Sequence, residues 1–399
     1  MKCRVCNSTK LELVFDLGMQ PWGNNFLKKN QLGKEKFYPL ELVYCNSCYL
    51  SQLSYTVKKE IMFSNHTYLS GMTSSLSNHF KSISHYIDEN FNKKKNKKNI
   101  LDIGSNDGVC LKHFKNLGYK VLGVESSKNI SKIANKNHIK TLNAFYNFKV
   151  AKEINTKFDF INASGVFFHL EELHSVTKGI KFNLKDDGVF IVQFLYMGQI
   201  MKNVAFDQIY HEHLLYYNLI TLQNLLDMHD LEIFDAYLTD IHGGQMVALV
   251  SHKQKYNLTA RYLRLILNEK KWGYNKKKTY ITFSDNAKTL KENNLKFIDN
   301  ALKKKKLIYG LGAPVKGNTL LNYFGINKTM IPKLLEINNL RKNLYAPGSH
   351  IPIILEKEET KKPDIFYVLA WNFKKEILSK NKDLIKKGVQ FYFPINIKK

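Results

Sequence analysis

Two segments of this chain run from a strand-like apolar stretch through a glycine-rich turn into a helix-like stretch. They are NILDIGSNDGVCLKHF, from Asn99, and LIYGLGAPVKGNTLLNYF, from Leu307. Such a turn constrains a fold strongly. A strand that leads into a helix meets its next strand by a crossover, so neighbouring strands become parallel and helices cover the sheet. Around the first turn, strand candidates at 99–103, 120–125, 158–163 and 188–194 alternate with helical stretches, the pattern of βαβ units. Around the second, further strands are expected near 333–337 and 364–370. The chain therefore reads as α/β with two Rossmann-like halves. Its 399 residues suit two or three domains at roughly 100–200 residues each. The expected division is a small module over 1–60, a first Rossmann-like domain over 61–255, a helical linker over 256–305, and a second Rossmann-like domain over 306–399.

The first module carries Cys3-x-x-Cys6 and Cys45-x-x-Cys48 among short β-like runs, LELVF, YPLELVYC and YLSQL. Thiolates at i and i+3 bind one side of a metal from a tight turn. Two such pairs close a tetrahedral shell and leave no open position, which predicts one structural Zn²⁺ per chain. A redox role is disfavoured, because neither pair opens a helix after a strand. Cys110 begins an apolar helix and reads as core. Five cysteines in a chain this long do not make a disulfide scaffold.

Lysine and arginine total 61 against 34 acids, a net charge of +27. Counterion release onto a nucleic acid is one reading of such an excess. The lysine runs at 93–98, 276–278 and 303–306 are far apart, beside helix ends, and read instead as a solvated surface. No apolar run is long enough to span a bilayer, and the N-terminus lacks the apolar core of a signal peptide. A cytoplasmic protein with no membrane or nucleic-acid partner is expected, as a monomer or weak dimer.

In the first glycine turn, Gly104 and Gly108 let backbone approach a ligand, and the helix directs its N–H groups at the loop. Asp102 ends the strand, and Asn106 lies in the turn. Glu125 ends the next strand, placed to bind the two hydroxyls of an adenosine ribose. Asn162 lies on the third strand, FDFINASG. This spacing alone does not separate NAD from S-adenosylmethionine, although Asp102-x-Gly104-x-x-x-Gly108 looks more like a methyltransferase turn than GxGxxG. Phe145 is placed equally well to stack on an adenine or to sit in the core.

The densest chemistry is FDQIYHEHLLYY. Tyr210 and His213, at i and i+3, share a face of a helix or tight turn. Histidine suits a general base near neutral pH, and tyrosine can donate to a developing oxyanion. An HExxH zinc site is excluded, because no histidine follows at the required spacing.

Taken with LGMQPWGNNFL, LDIGSNDG, HGG at 242–244, PGSHIPI and LAWN, the cluster resembles the sugar C-methyltransferases that modify nucleotide-linked 4-keto-6-deoxy sugars. The likeness runs in order along the whole chain. It implies an N-terminal zinc module, a central S-adenosylmethionine domain, and a C-terminal domain that holds a dTDP-, GDP- or CDP-linked sugar. It also implies that His213 is the general base, assisted by Tyr210 and Glu212. Tyr68 and His169 match further active-site positions. His211 stands where the family often has an acid and is assigned no role. After HGG the family usually carries an arginine, whereas here Gln245, Met246 and Val247 follow.

The chemistry is coherent with that likeness. A sugar carbon becomes nucleophilic as an enolate, so it must neighbour a ketone, with C3 favoured over C5. The substrate's pyrophosphate then suits the second turn, where Gly310, Gly312 and Gly317 open a helix and Lys316 offers a cation. Glu336 is expected at the nucleoside's ribose, and His242 beside the substrate. Methylation at oxygen or nitrogen would need no ketone. A zinc-ribbon RNA methyltransferase would call for an NPPY-like motif or a cysteine nucleophile, where this chain has NASGVFFH. A zinc-ribbon binding protein without activity would not need two glycine turns.

Overall fold

The computed structural model describes residues 1–63, 70–72, 74–92 and 98–396, with the side chains of Met72 and His242 outside the description. Three strands open the chain: β1 Leu11–Pro21, β2 Phe37–Cys45 and β3 Ser51–Leu53. Then come β4 Asn99–Ile103, β5 Lys120–Glu125, β6 Thr141–Asn143, β7 Phe158–Ser164, β8 Leu184–Leu195, β9 Leu215–Tyr216, β10 Leu231–Thr239 and β11 Gln245–His252. The last five are β12 Ile308–Leu311, β13 Leu334–Glu336, β14 Ile353–Leu355, β15 Ile365–Val368 and β16 Gln390–Tyr392. They form three sheets, ordered β1-β2-β3-β9, β10-β11-β8-β7-β4-β5-β6, and β14-β13-β12-β15-β16.

The N-terminal sheet is antiparallel throughout. The pairing of Leu11 with Cys45 brings the second cysteine turn back to the first. Its fourth strand is β9, which pairs Ser51 with Tyr216 although it lies in the stretch assigned by sequence to the central domain. A two-residue strand is too short to show alternation, and Leu215 and Tyr216 are both fully buried. This strand follows the YHEH cluster directly, so the cluster sits at the seam between two sheets.

In the central sheet, β8, β7, β4, β5 and β6 run parallel, and β11 and β10 add an antiparallel edge. The four expected strands are present, with β8 starting earlier, at Leu184. The edge pair escaped the sequence reading because β11 is buried on both faces and shows no alternation. The C-terminal sheet is wholly parallel, with β12 at its centre. Both Rossmann-like sheets therefore reverse strand order beside the strand that carries their glycine turn. That is where open α/β sheets form a ligand crevice.

The expected helical linker is two helices, Ala260–Trp272 and Lys277–Lys303, broken at Gly273 in the left-handed region (φ +69°). The second helix is a buttress rather than a tether. Phe283 packs edge-on against Phe15 of β1, and Asn294 accepts a 2.8 Å hydrogen bond from Tyr367 of β15. One apolar core runs through the N-terminal, central and C-terminal sheets, and a second covers the other face of the central sheet around Phe80, Ile100, Phe114 and Ile191. Among the described residues no helix is long and apolar enough to cross a membrane.

Candidate active site

The first glycine turn joins β4 to the helix Val109–Asn116. Gly104 has φ +70°, and a Cβ there would come within 2.3 Å of the Val166 side chain, so only glycine fits. Glu125, at the tip of β5, accepts the N–H groups of Asn106 at 2.9 Å and Ser127 at 2.7 Å. Asp102 is buried and accepts from Asn162 Nδ2 at 2.7 Å. Burial pushes its pKa up to about 7, the Asn162 bond opposing and the neighbouring Glu125 charge adding. Glu125 is raised as well, by burial against its backbone hydrogen bonds. Ser70, Asp102, Gly104, Ser105, Asn106 and Asn162 line a small cavity here. The buried Ser105 hydroxyl has no hydrogen-bond partner among the described residues. Ser70 and Gly71 close over the turn by donating backbone N–H bonds to Asn106 and Asp107, each at 2.9 Å. Phe145 is half-buried, with the Lys59 ammonium 5.0 Å from its ring centre, so it is not a core residue.

This lining fits a cationic, hydroxylated cofactor. Asp102 in the lining and Glu125 beside the turn are both buried, and neither has an ion pair among the described residues. A positive ligand would relieve the desolvation that both carboxylates suffer.

The second turn joins β12 to the helix Val315–Phe324. Its acid, Glu336 at the tip of β13, is differently employed. It accepts from the N–H groups of Ala313 at 2.9 Å, Ile337 at 2.8 Å and Asn338 at 3.0 Å, and from Arg341 at 3.2 Å. Four donors fill the usual acceptor sites of a carboxylate, so Glu336 shapes the loop rather than offering itself to a ribose. Gly310 lies within β12, not in the turn. A Cβ there would come within 2.3 Å of Leu334, so its role is close packing of neighbouring strands. Gly312 lies in the turn (φ +82°), and Gly317 is buried in the first helical turn. Arg341 also donates to the Ala313 carbonyl at 2.6 Å and lies over Phe26, 4.6 Å from the ring centre. Asn318 donates to the Gly23 carbonyl at 2.7 Å. The PWGNNF segment of the N-terminal module is thus laid across the second turn. Lys316 is half-buried, its ammonium 3.5 Å from the centre of the Trp371 ring. Desolvation lowers its pKa to about 8 against the attraction of Asp207.

Between the two turns lies the segment 207–213, which leaves the short 3₁₀ helix Phe206–Gln208 and continues as a turn. His213 donates from Nδ1 to the Gln208 carbonyl at 2.8 Å, which makes Nε2 the basic nitrogen of the neutral ring. Tyr210 and His213 meet ring to ring, with centres 3.8 Å apart, and the His213 N–H closes the turn on the Tyr210 carbonyl at 2.8 Å. Phe168 packs edge-on against His213, and the His169 ring centre lies 5.2 Å away. His169 Nδ1 bonds the Glu212 carbonyl oxygen. The Glu212 carboxylate points elsewhere. It accepts from Trp22 Nε1 at 2.8 Å and interacts with Asn24, and burial pushes its pKa up to about 7 despite these donors and Arg341. Backbone carbonyls, not the Glu212 side chain, therefore orient both histidines. His211 turns into the N-terminal module against Tyr38, where burial lowers its pKa to about 4.

The structure thus brings Tyr210, His213 and His169 together and sets Glu212 on their N-terminal side. Tyr68 and the His242 side chain lie outside the described residues. Val247 is core, and Gln245 accepts from Gln193, which in turn bonds His79 at 2.8 Å. Trp22, Asp207, Arg341 and Trp371 were missed as individual residues. Three of them fall inside quoted motifs, but only the tertiary contacts say which side chain of each motif matters.

The four N-terminal cysteines converge. Their sulfurs lie within 4.8 Å of one another, with Cys3–Cys48 at 3.4 Å and Cys6–Cys45 at 3.6 Å. A tetrahedral Zn²⁺ with Zn–S of about 2.3 Å needs sulfur–sulfur edges of about 3.8 Å, so the donors fit that ion. With four sulfurs the shell is closed, and its role is to hold the module together.

Three family models match the chain in order. They are described as "Putative zinc binding domain" over residues 3–63, "Methyltransferase domain" over 76–236 and "C-methyltransferase C-terminal domain" over 240–396. The C-methyltransferase NovU of Streptomyces niveus is 28% identical over 400 residues, spanning 99% of this chain and 95% of that protein. Among solved structures, the plantazolicin methyltransferase BpumL in complex with SAH aligns over 44% of this chain and 82% of its own, at 16% identity and a TM-score of 0.36. The magnesium protoporphyrin IX methyltransferase of Synechocystis PCC 6803 with bound SAM aligns over 44% and 79%, at 11% identity and a TM-score of 0.34.

Proposed function

The chain has the domain organisation of an S-adenosylmethionine-dependent C-methyltransferase, and we propose that its acceptor is the carbon beside the ketone of a nucleotide-linked 4-keto-6-deoxy sugar. The observation that carries this reading is His213, whose Nδ1 proton is committed to the Gln208 carbonyl while its ring lies against Tyr210. Transfer to carbon needs a carbanion equivalent, and such a site needs a fixed base beside a hydroxyl donor.

In this reading the cofactor occupies the first turn. Glu125 and Asn106 meet the ribose, Phe145 the adenine, and Asp102 with Asn162 the charged end. Bound there, S-adenosylmethionine supplies an electrophilic methyl group. His213 Nε2 takes the proton from the sugar carbon, C3 before C5, and the electron pair moves to the ketone oxygen. Tyr210 donates to that oxygen, with His169 beside it. One general base is typically worth about 10²–10⁴-fold. After transfer the ketone is restored, and His213 returns its proton to solvent. The nucleotide's phosphates lie at the second turn, against the N–H groups at the start of Val315–Phe324. Zinc takes no part in the chemistry.

The test is incubation with labelled S-adenosylmethionine and a panel of dTDP-, GDP- and CDP-linked 4-keto-6-deoxy sugars, read by mass spectrometry. One sugar should gain a methyl group on carbon and exchange its neighbouring proton with deuterated water. Methylation at oxygen or nitrogen without exchange would overturn the reading.

A further inference from the structure

Asp207 stands one residue before Gln208, whose carbonyl holds His213. It is fully buried, and its Oδ2 accepts from Trp371 Nε1 at 2.6 Å. Its Oδ1 is buried and meets no donor at strict hydrogen-bond geometry among the described residues, although the backbone N–H groups of Asp207 and Gln208 lie close enough to favour the charged form. A fully buried carboxylate with incomplete hydrogen bonding is costly, and an apolar residue of similar size would usually serve stability as well or better. The nearest compensation is Lys316, from the first turn of the helix that follows the second glycine turn. Its ammonium lies on the other contact of the same indole, over the ring face. Trp371 is itself fully buried, and Gly243 makes room for it, since a Cβ there would come within 2.9 Å of the ring. Segments from FDQIYHEH, HGG, GAPVKGN and LAWN therefore meet at one indole.

We propose that Lys316 is a positioning residue that acts through Asp207 and Trp371, so that the second glycine turn holds the Gln208 carbonyl where it fixes the His213 proton. It is then not a phosphate clamp. The pathway is continuous: Lys316 over Trp371, Trp371 to Asp207, Asp207 to Gln208 along the chain, and Gln208 to His213. Lys316 and Tyr367 are the titratable groups that face Asp207. A nucleotide at the second turn would press on the helix that carries Lys316 and so reach the base. The inference rests on the reading of His213 as the base.

The test is a double-mutant cycle with Lys316→Met and Asp207→Asn in the full chain. Lys316→Met should lower kcat and sugar proton exchange by about tenfold, with the KM for the sugar nucleotide changed by less than about threefold. Asp207→Asn should lose as much, and the double variant no more than either alone. Lys316→Arg should recover most of the loss. A second readout is independent of the substrate: ¹⁵N shifts of the His213 ring should report Nδ1-protonated imidazole in wild type and a tautomer mixture in both single variants. Should Lys316→Met fail to fold, Lys316→Gln carries the same cycle. A raised KM with unchanged kcat, additive losses, or an unmoved His213 tautomer would each overturn the proposal. A wild type that exchanges no sugar proton, with the tautomer change still present in both single variants, would instead sink the sugar reading and leave this coupling standing.

Discussion

The two glycine turns share an architecture and differ in charge. Each has a strand, a turn with a left-handed glycine, a helix, and a glutamate at the tip of the next strand that accepts a loop N–H. At the first, Glu125 and Asp102 are buried together and both are pushed toward the neutral form. At the second, Glu336 is matched by three N–H groups and the Arg341 guanidinium, and Gly310 stands where the first strand carries Asp102, two residues before the turn glycine. The first turn is covered by Ser70 and Gly71; the second is crossed by the N-terminal module at Gly23 and Phe26. The motif alone does not choose a ligand. The acid-rich turn suits a cationic cofactor, while the neutralised one is free of that charge and connects by contact to the turn that holds His213.

The largest test of this contrast removes the metal. Structural zinc in finger peptides contributes an apparent ~10–16 kcal/mol, so Cys45→Ser should cost folding yield severely. In the protein that survives, sugar-nucleotide binding should fail before cofactor affinity does, because the module crosses the second turn at Gly23 and Phe26 but reaches the first site at its own end, through Lys59 over Phe145. Metal analysis should find one zinc per wild-type chain, and an equal loss at both turns would erase the distinction.

Next is His213→Asn, which lies between the turns. Methylation and proton exchange should both fall by about 10²–10⁴-fold with cofactor affinity unchanged. Exchange that survives in this variant would move the base to another residue, His169 being the nearest. Glu125→Ala should weaken cofactor binding by roughly 1.5–3 kcal/mol in calorimetry, whereas Glu336→Ala should leave it untouched. Equal effects would show that the two acids are not specialised.

A smaller effect is set by pH. The Asp102 carboxyl is raised from 3.8 to about 7, so its folded form favours the proton. Its contribution to the stability of ligand-free protein is full below about pH 4 and lost as pH rises through about 7. A cationic cofactor reverses this, so the cofactor-induced rise in Tm should grow across that window, and Asp102→Asn should flatten it. The smallest change is Arg341→Met, expected to weaken sugar-nucleotide binding by about 0.5–1.5 kcal/mol and cofactor binding not at all.

Much of this was legible beforehand. The strands at 99–103 and 120–125 are found as read, because each is an apolar run closed by a glycine or an acid. Tyr210 and His213 do share a face, since i and i+3 spacing holds in a tight turn as in a helix. The family likeness implied that Glu212 assists His213, but adjacency sends successive side chains opposite ways, and the Glu212 carboxylate accepts from Trp22. Gly310 read as part of a phosphate loop because local patterns do not distinguish a ligand's approach from that of Leu334.

What the sequence determined by itself were the features with a local cause. Turns that need glycine, cysteine pairs that need a metal, and strands that end in acids follow from backbone sterics and short-range spacing. Only the tertiary structure decided which acid stays poor in cations, which lysine faces a carboxylate, and which carbonyl holds the histidine. Those depend on residues 22, 207, 316 and 371, which no spacing rule connects. They meet because separate sheets share one buried core, and in that low-dielectric seam each charge must find its partner or change its proton.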